Sequence, residues 1–222
     1  MPTSAKHKIQ IPFGQIEYTG TFKEPIIGSF SALHKPIESL LRALKPHGFP
    51  LDGVEVRRKE KLVECAVELR RTTPPPITFK VTPARLSITI DNADWSEKDA
   101  LLGAMNAGVG AVKTHEHAEF ESQLMVLAMH VQILETPRKD ITEPLLSDIA
   151  YQLLAGESEF QGVVLTRKGV SVVIDASNAY ANSLFVRLVR EHKADTTLVQ
   201  IAEQLYGDEV HIFEVLNLAG DL

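Results

Sequence analysis

The chain has 222 residues, of which 44% are hydrophobic and 23% charged, an ordinary globular composition that excludes collagen, coiled coil and wholesale disorder. Lys plus Arg total 23 against 29 for Asp plus Glu, so the net charge is −6 and a general phosphate-binding surface is not expected. The single cysteine, Cys65, removes any intrachain disulfide and any Cys-based structural zinc site. Such low cysteine usage fits a reducing compartment.

Met1-Pro-Thr-Ser-Ala-Lys-His-Lys8 lacks the apolar core of a secretory signal. The longest apolar stretch, Leu124–Leu134, is interrupted by His130 and Gln132 and is too short to cross a bilayer as a helix. A cytoplasmic protein without membrane contact is therefore expected. Charge divides unevenly along the chain. Residues 1–136 hold 16 basic and 16 acidic side chains, whereas residues 137–222 hold 7 and 13 and carry the whole −6. The change falls at the polar stretch Thr136-Pro-Arg-Lys-Asp140, which reads as a turn or linker. The expected organisation is a flexible tail over 1–14, an α+β half over 15–136 and an acidic α+β half over 137–222, with one continuous domain as the alternative.

In chain order, Ile16–Phe22 alternates as a strand would. Ile37, Leu40, Leu41 and Leu44 mark an amphipathic helix that stops at Pro46-His-Gly48. Val63–Leu69, Ile77–Val81 and Leu86–Ile90 follow as strands with one apolar and one polar face, the pattern of a half-wet antiparallel sheet. Asp94-Trp-Ser-Glu97 resembles a capping box opening a helix through Leu101, Met105 and Val112, weakened by Gly103, Gly108 and Gly110. Residues 119–134 fit both periods, and a strand is preferred because the sheet needs an apolar central member. Thr142–Leu154 reads as a helix. Phe160–Leu165 and Val170–Ile174 form a hairpin around Arg167-Lys-Gly169, with Leu184–Arg190 beside it. Two short helices, Asp195–Tyr206 and Asp208–Leu218, separated at Gly207, close the chain.

This order is not a strict βα alternation, so the fold class is α+β, with mostly antiparallel sheets and helices packed on one face. Ser87-Ile-Thr-Ile-Asp91 and Ser171-Val-Val-Ile-Asp175 each close a strand on Asp, an echo that points to two related halves. Lys61-Leu-Val-Glu-Cys-Ala-Val-Glu-Leu-Arg70 resembles the opening strand motif of a sporadically distributed family of bacterial α+β proteins of unassigned function. Leu86-Ser-Ile-Thr-Ile-Asp-Asn-Ala-Asp-Trp95 is similar to its strand, loop and Trp-bearing helix start, and Asp208-Glu-Val-His-Ile-Phe-Glu-Val-Leu216 to its last helix. This chain differs in placing a helix before the motif rather than after it. The resemblance implies an α+β fold and no catalytic residues.

The leading candidate site is His115-Glu-His117. On an extended strand His115, His117, Glu119 and Glu121 would share one face, and imidazole with carboxylate suits Zn²⁺. A solvated loop is the competing reading. Asp91 and Asp175 sit at strand ends, where carboxylates serve either chemistry or turn geometry. Gly103–Gly110 lacks the Gly-Lys-Ser/Thr ending of a phosphate loop. Cys65 reads as a buried apolar residue, and Arg57-Arg-Lys-Glu-Lys61 as a solvated turn without aromatic residues for base stacking. The expected function is a non-enzymatic binding or assembly module acting through a protein partner or self-association, without nucleic acid. A metal-dependent hydrolase centred on His115 and His117 is the alternative.

Overall fold

Where Ile77, Phe79 and Val81 alternate with Thr78 and Lys80, the apolar set is buried and the polar set half-buried, the signature of a strand facing a core on one side. The same rule builds ten strands among the residues described by the computed structural model, which are 6–31, 34–61, 64–145 and 161–220. The elements are β1 (His7–Phe22), α1 (Ile27–Ser31), α2 (His34–Leu44), β2 (Val54–Arg57), β3 (Ala66–Arg71), β4 (Ile77–Val81), β5 (Arg85–Asp91) and α3 (Lys98–Glu116). They continue with β6 (Phe120–Ile133), α4 (Arg138–Thr142), β7 (Gly162–Arg167), β8 (Val170–Ala176), β9 (Ser183–Lys193), α5 (Leu198–Val215) and β10 (Leu218–Ala219).

The class is α+β, with more sheet than helices packed on one face would suggest. Pairing is antiparallel at β1–β5, β2–β3, β3–β4, β4–β5, β7–β8 and β8–β9, and parallel where β10 joins β1 at His7 and Lys8.

Two compact units divide the chain, one of residues 15–126 with 191–203, the other of 1–14, 127–190 and 204–222. In the first the strand order is β2-β3-β4-β5-β1-β6. Its core gathers Tyr18, Leu69, Ile77, Phe79, Leu86, Ile88 and Ile90 with Leu40 and Leu44 of α2. α2 packs against α3, and Phe49 meets Phe79 edge-on at 5.4 Å. A Cβ at Gly108 would lie 2.2 Å from the Phe79 ring, so this glycine is what lets α3 approach β4. The buried Tyr18 hydroxyl donates to Gln123 Oε1 at 2.7 Å. Gln123 Nε2 in turn donates to the carbonyls of Lys193, Ala194 and Thr196, which fixes the turn after β9.

In the second unit the order is β1-β6-β9-β8-β7, with β10 on β1. Met129, Val131, Leu184, Val186 and Leu188 are buried, as are Leu205, Ile212, Phe213 and Leu216. Asn182, in the left-handed region at φ 50°, accepts from the Arg138 N–H at 2.7 Å and donates to the Ile133 and Thr136 carbonyls, both at 2.8 Å. That one side chain shapes the 133–138 turn.

Several expectations change. Residues 7–14, expected in a flexible tail, are strand, and the compact units do not break at residue 136. Instead β1, β6 and β9 each contribute to both units. The strand expected over Val63–Leu69 occupies Ala66–Arg71, Val63 itself lying outside the described residues. It pairs with β2, which sequence patterning did not predict. The two closing helices are one, α5, because Leu198, Ile201, Leu205, Ile212, Phe213 and Leu216 form a single stripe through Gly207. The polar stretch at 136–140 turns into the short helix α4, and most of the expected 142–154 helix, including Leu146, lies outside the described residues. Residues 120–133 are strand, as the sheet argument required.

Candidate functional site

The histidine row rested on an extended backbone from 115 to 121, and the backbone there is not extended. His115 lies in the last turn of α3, and His117 caps it in the left-handed conformation at φ 49°. The Ala118 N–H closes that end on the Lys113 carbonyl at 3.1 Å. β6 begins only at Phe120, so the two-residue alternation that would align His115, His117, Glu119 and Glu121 is broken at the cap. His117 and Glu119 instead line a surface depression of about 370 Å³ with Lys23 and Glu24, where Lys23 Nζ pairs with Glu119 at 3.5 Å in water. Glu121 is exposed on β6. Among the described residues no group of three or more His, Cys, Asp or Glu converges to hold a metal ion.

Asp91 accepts from Gln15 Nε2 at 2.8 Å and precedes Asn92 at φ 52°, which makes it a strand-end turn residue. Asp175 lies over Gly162 on the neighbouring strand, where a Cβ would collide with its carboxylate. Cys65 is buried, its Sγ accepting from the Lys59 N–H at 3.4 Å. α3 continues through Gly103–Gly110, so no phosphate loop forms there.

Three features carry chemistry that sequence patterning did not single out. The first is His130, whose Nδ1 shares a 2.8 Å hydrogen bond with Ser177 Oγ. The rings of Phe13, Tyr180 and Phe185 stand around this imidazole with centroids 6.2, 5.3 and 5.1 Å away. Ser177 Oγ also accepts the Ala179 N–H at 3.2 Å, and among the described residues no carboxylate joins the pair. Ser177 is buried, so this reads as a polar pin within an aromatic cluster.

The second is a pocket of about 470 Å³ between the β8–β9 surface and α5. Its floor is Val170, Val172, Leu188 and Ile212, and its rim carries Arg167, Lys168 and His211. Arg190 donates to both Asp208 oxygens, at 2.6 and 2.5 Å, across one wall. A signal for it existed. Leu184, Val186 and Leu188 define the core side of β9, and Arg190 continues that alternation, so an arginine there needs an acid facing it.

The third is the edge strand β7. Among the described residues it ends the strand order, and five of its six residues are exposed. Val164 and Leu165 are 64% and 57% exposed. The edge at β2 is different, being four residues long and bearing Glu55 and Arg57. Short, charged edges resist pairing with another chain, whereas β7 carries no charge before Arg167.

No protein-family model matches the chain, and no curated protein does either. Among solved structures, the class II 3-hydroxy-3-methylglutaryl-CoA reductase from Streptococcus pneumoniae is 9% identical with a TM-score of 0.26, over 95% of this chain and 62% of that one. This chain thus spans less than two thirds of that enzyme's length. The di-domain ARO/CYC BexL of the BE-7585A biosynthetic pathway is 8% identical with a TM-score of 0.22, over 91% of this chain and 97% of that one. Likeness this slight carries no argument. Among the described residues no helix is long and apolar enough to cross a membrane.

Proposed function

We propose that the protein is a binding and assembly module that self-associates through β7. The observation that carries this reading is the edge strand β7, uncharged before Arg167, with Val164 and Leu165 open to solvent. An edge strand presents a row of unpaired N–H and C=O groups, and a second strand added there satisfies them while covering the apolar side chains. The occupant is a second copy of this chain, because antiparallel pairing about a two-fold axis at Val164 is chemically self-consistent. Val164 then faces Val164, Val163 faces Leu165, Gly162 faces Thr166, and Arg167 meets Gln161 rather than another cation.

Light scattering tests it. The wild-type chain should have twice the 24.5 kDa mass, and Val164→Lys should return it to 24.5 kDa with an unchanged far-ultraviolet circular dichroism spectrum. A wild-type protein that stays monomeric when concentrated, or a Val164→Lys variant that remains dimeric, would overturn the reading.

A further inference from the structure

We infer that the pocket between the β8–β9 surface and α5 is a binding site for a small amphipathic monoanion, a carboxylate joined to a short hydrocarbon body. The inference goes beyond edge pairing and shares with it only Arg167, the last residue of β7. Register explains the floor. Val170 lies opposite Arg190 and Val172 opposite Leu188, so these four side chains share the face turned to α5. On the helix, Asp208, His211 and Ile212 are spaced i, i+3 and i+4 and therefore point the same way. The volume of about 470 Å³ falls in the range of small-molecule sites, about 300–1,000 Å³.

The charge arrangement selects the ligand. Arg190 is satisfied by its bidentate bond to Asp208, so it holds the wall together and has little left to offer a ligand. Arg167 and Lys168 form no ion pair with any described residue, yet both border the opening. Two cations at the mouth, without an ion pair among the described residues, and four aliphatic side chains at the base ask for a molecule with one anionic end and one apolar end. A neutral hydrocarbon would leave the cations unused, and a bare anion would leave the floor wet. This local excess of positive charge sits within the 137–222 segment, which is otherwise strongly acidic.

Calorimetric titration with octanoate, octanol and acetate separates the contributions. Octanoate should bind at one equivalent per chain, and octanol and acetate each at least about tenfold more weakly, as loss of one charge-assisted contact or of the buried hydrocarbon predicts. The double variant Arg167→Ala/Lys168→Ala should weaken octanoate by about tenfold or more while melting as the wild type does. Amide resonances of Val170–Val172 and Asp208–Ile212 should shift on titration, which locates the site in the unaltered protein. Repeating the titration on Val164→Lys should leave binding unchanged, so failure of edge pairing and failure of this site are told apart. The inference is overturned by octanol binding as tightly as octanoate, by acetate doing so, by an unaffected double variant, by shifts confined elsewhere, or by no octanoate uptake.

Discussion

Glu68 shows how one residue can contradict its strand's polarity pattern for an electrostatic reason. It lies on the face of β3 opposite Val67 and Leu69, yet it is only 3% exposed. Glu55 stands directly across from it on β2, a like-charge pairing that would separate the strands. Arg70 at 2.8 Å, Lys80 at 3.2 Å and Arg57 at 3.5 Å reverse that repulsion. Burial pushes the Glu68 carboxyl up, but the hydrogen bonds from Arg70 and Lys80 and the charges of Lys80 and Arg57 outweigh it and hold the group below the usual carboxylate range. A depressed folded pKa gives stability that is present above the unfolded value, about 4.3, and is lost as pH falls through the folded one. Glu68→Gln should therefore cost about 1–2 kcal/mol at neutral pH, a modest figure because the three cations are nearly half exposed. Thermal melts should show the gap between wild type and variant closing under strongly acidic conditions. An equal gap at acidic and neutral pH would remove the electrostatic account.

At the scale of elements, α5 teaches that a continuous stripe outweighs one poor helix former. Gly207 is exposed, and a Cβ placed there would meet nothing within 4 Å. Gly207→Ala should then stabilise the protein by about 0.5–1 kcal/mol and raise the melting temperature; a lower value would mean that the helix needs flexibility at this position. The stripe is legible in the sequence, but the low helix propensity of Gly207 predicts a break within it. Ile9, Ile11 and Phe13 likewise alternate with Lys8, Gln10 and Pro12, but the strand they belong to is completed at His7 and Lys8 by β10, some 200 residues away. β2 was hidden because Val54-Glu-Val-Arg57 is short and half charged, and its pairing with β3 is a tertiary fact. Strands β4, β5 and β9 were readable because each buries one face and wets the other, and β8 because a short turn at Lys168-Gly169 joins it to β7. For the candidate sites the limit was similar. His115 to Glu121 lacks a decisive period, so the end of a helix passed for a strand, whereas Arg190 on the core side of β9 was a legible but unused signal.

For the whole molecule, the charge distribution decides which macromolecules are acceptable partners. The net charge is −6 and the pI about 5.8, so long-range attraction to a polyanion is absent at neutral pH. Local basic groups could still matter, since fields are screened over about 8 Å at physiological salt and a close patch acts alone. The group formed by Arg57, Arg70 and Lys80 is already engaged by Glu55 and Glu68 at 2.8–3.8 Å. Withdrawing those cations to bind phosphate would leave Glu68 buried without its partners, a cost that a few screened phosphate contacts do not repay. Arg167 and Lys168 are too few for duplex recognition, where a salt-dependent affinity of useful size takes about 6–10 phosphate contacts. Duplex DNA should therefore show no retardation with the protein at physiological salt, and lowering the salt should bring at most weak, smeared association. A discrete complex at physiological salt that dissolves steeply as salt rises would show that these basic groups are free to meet phosphate after all.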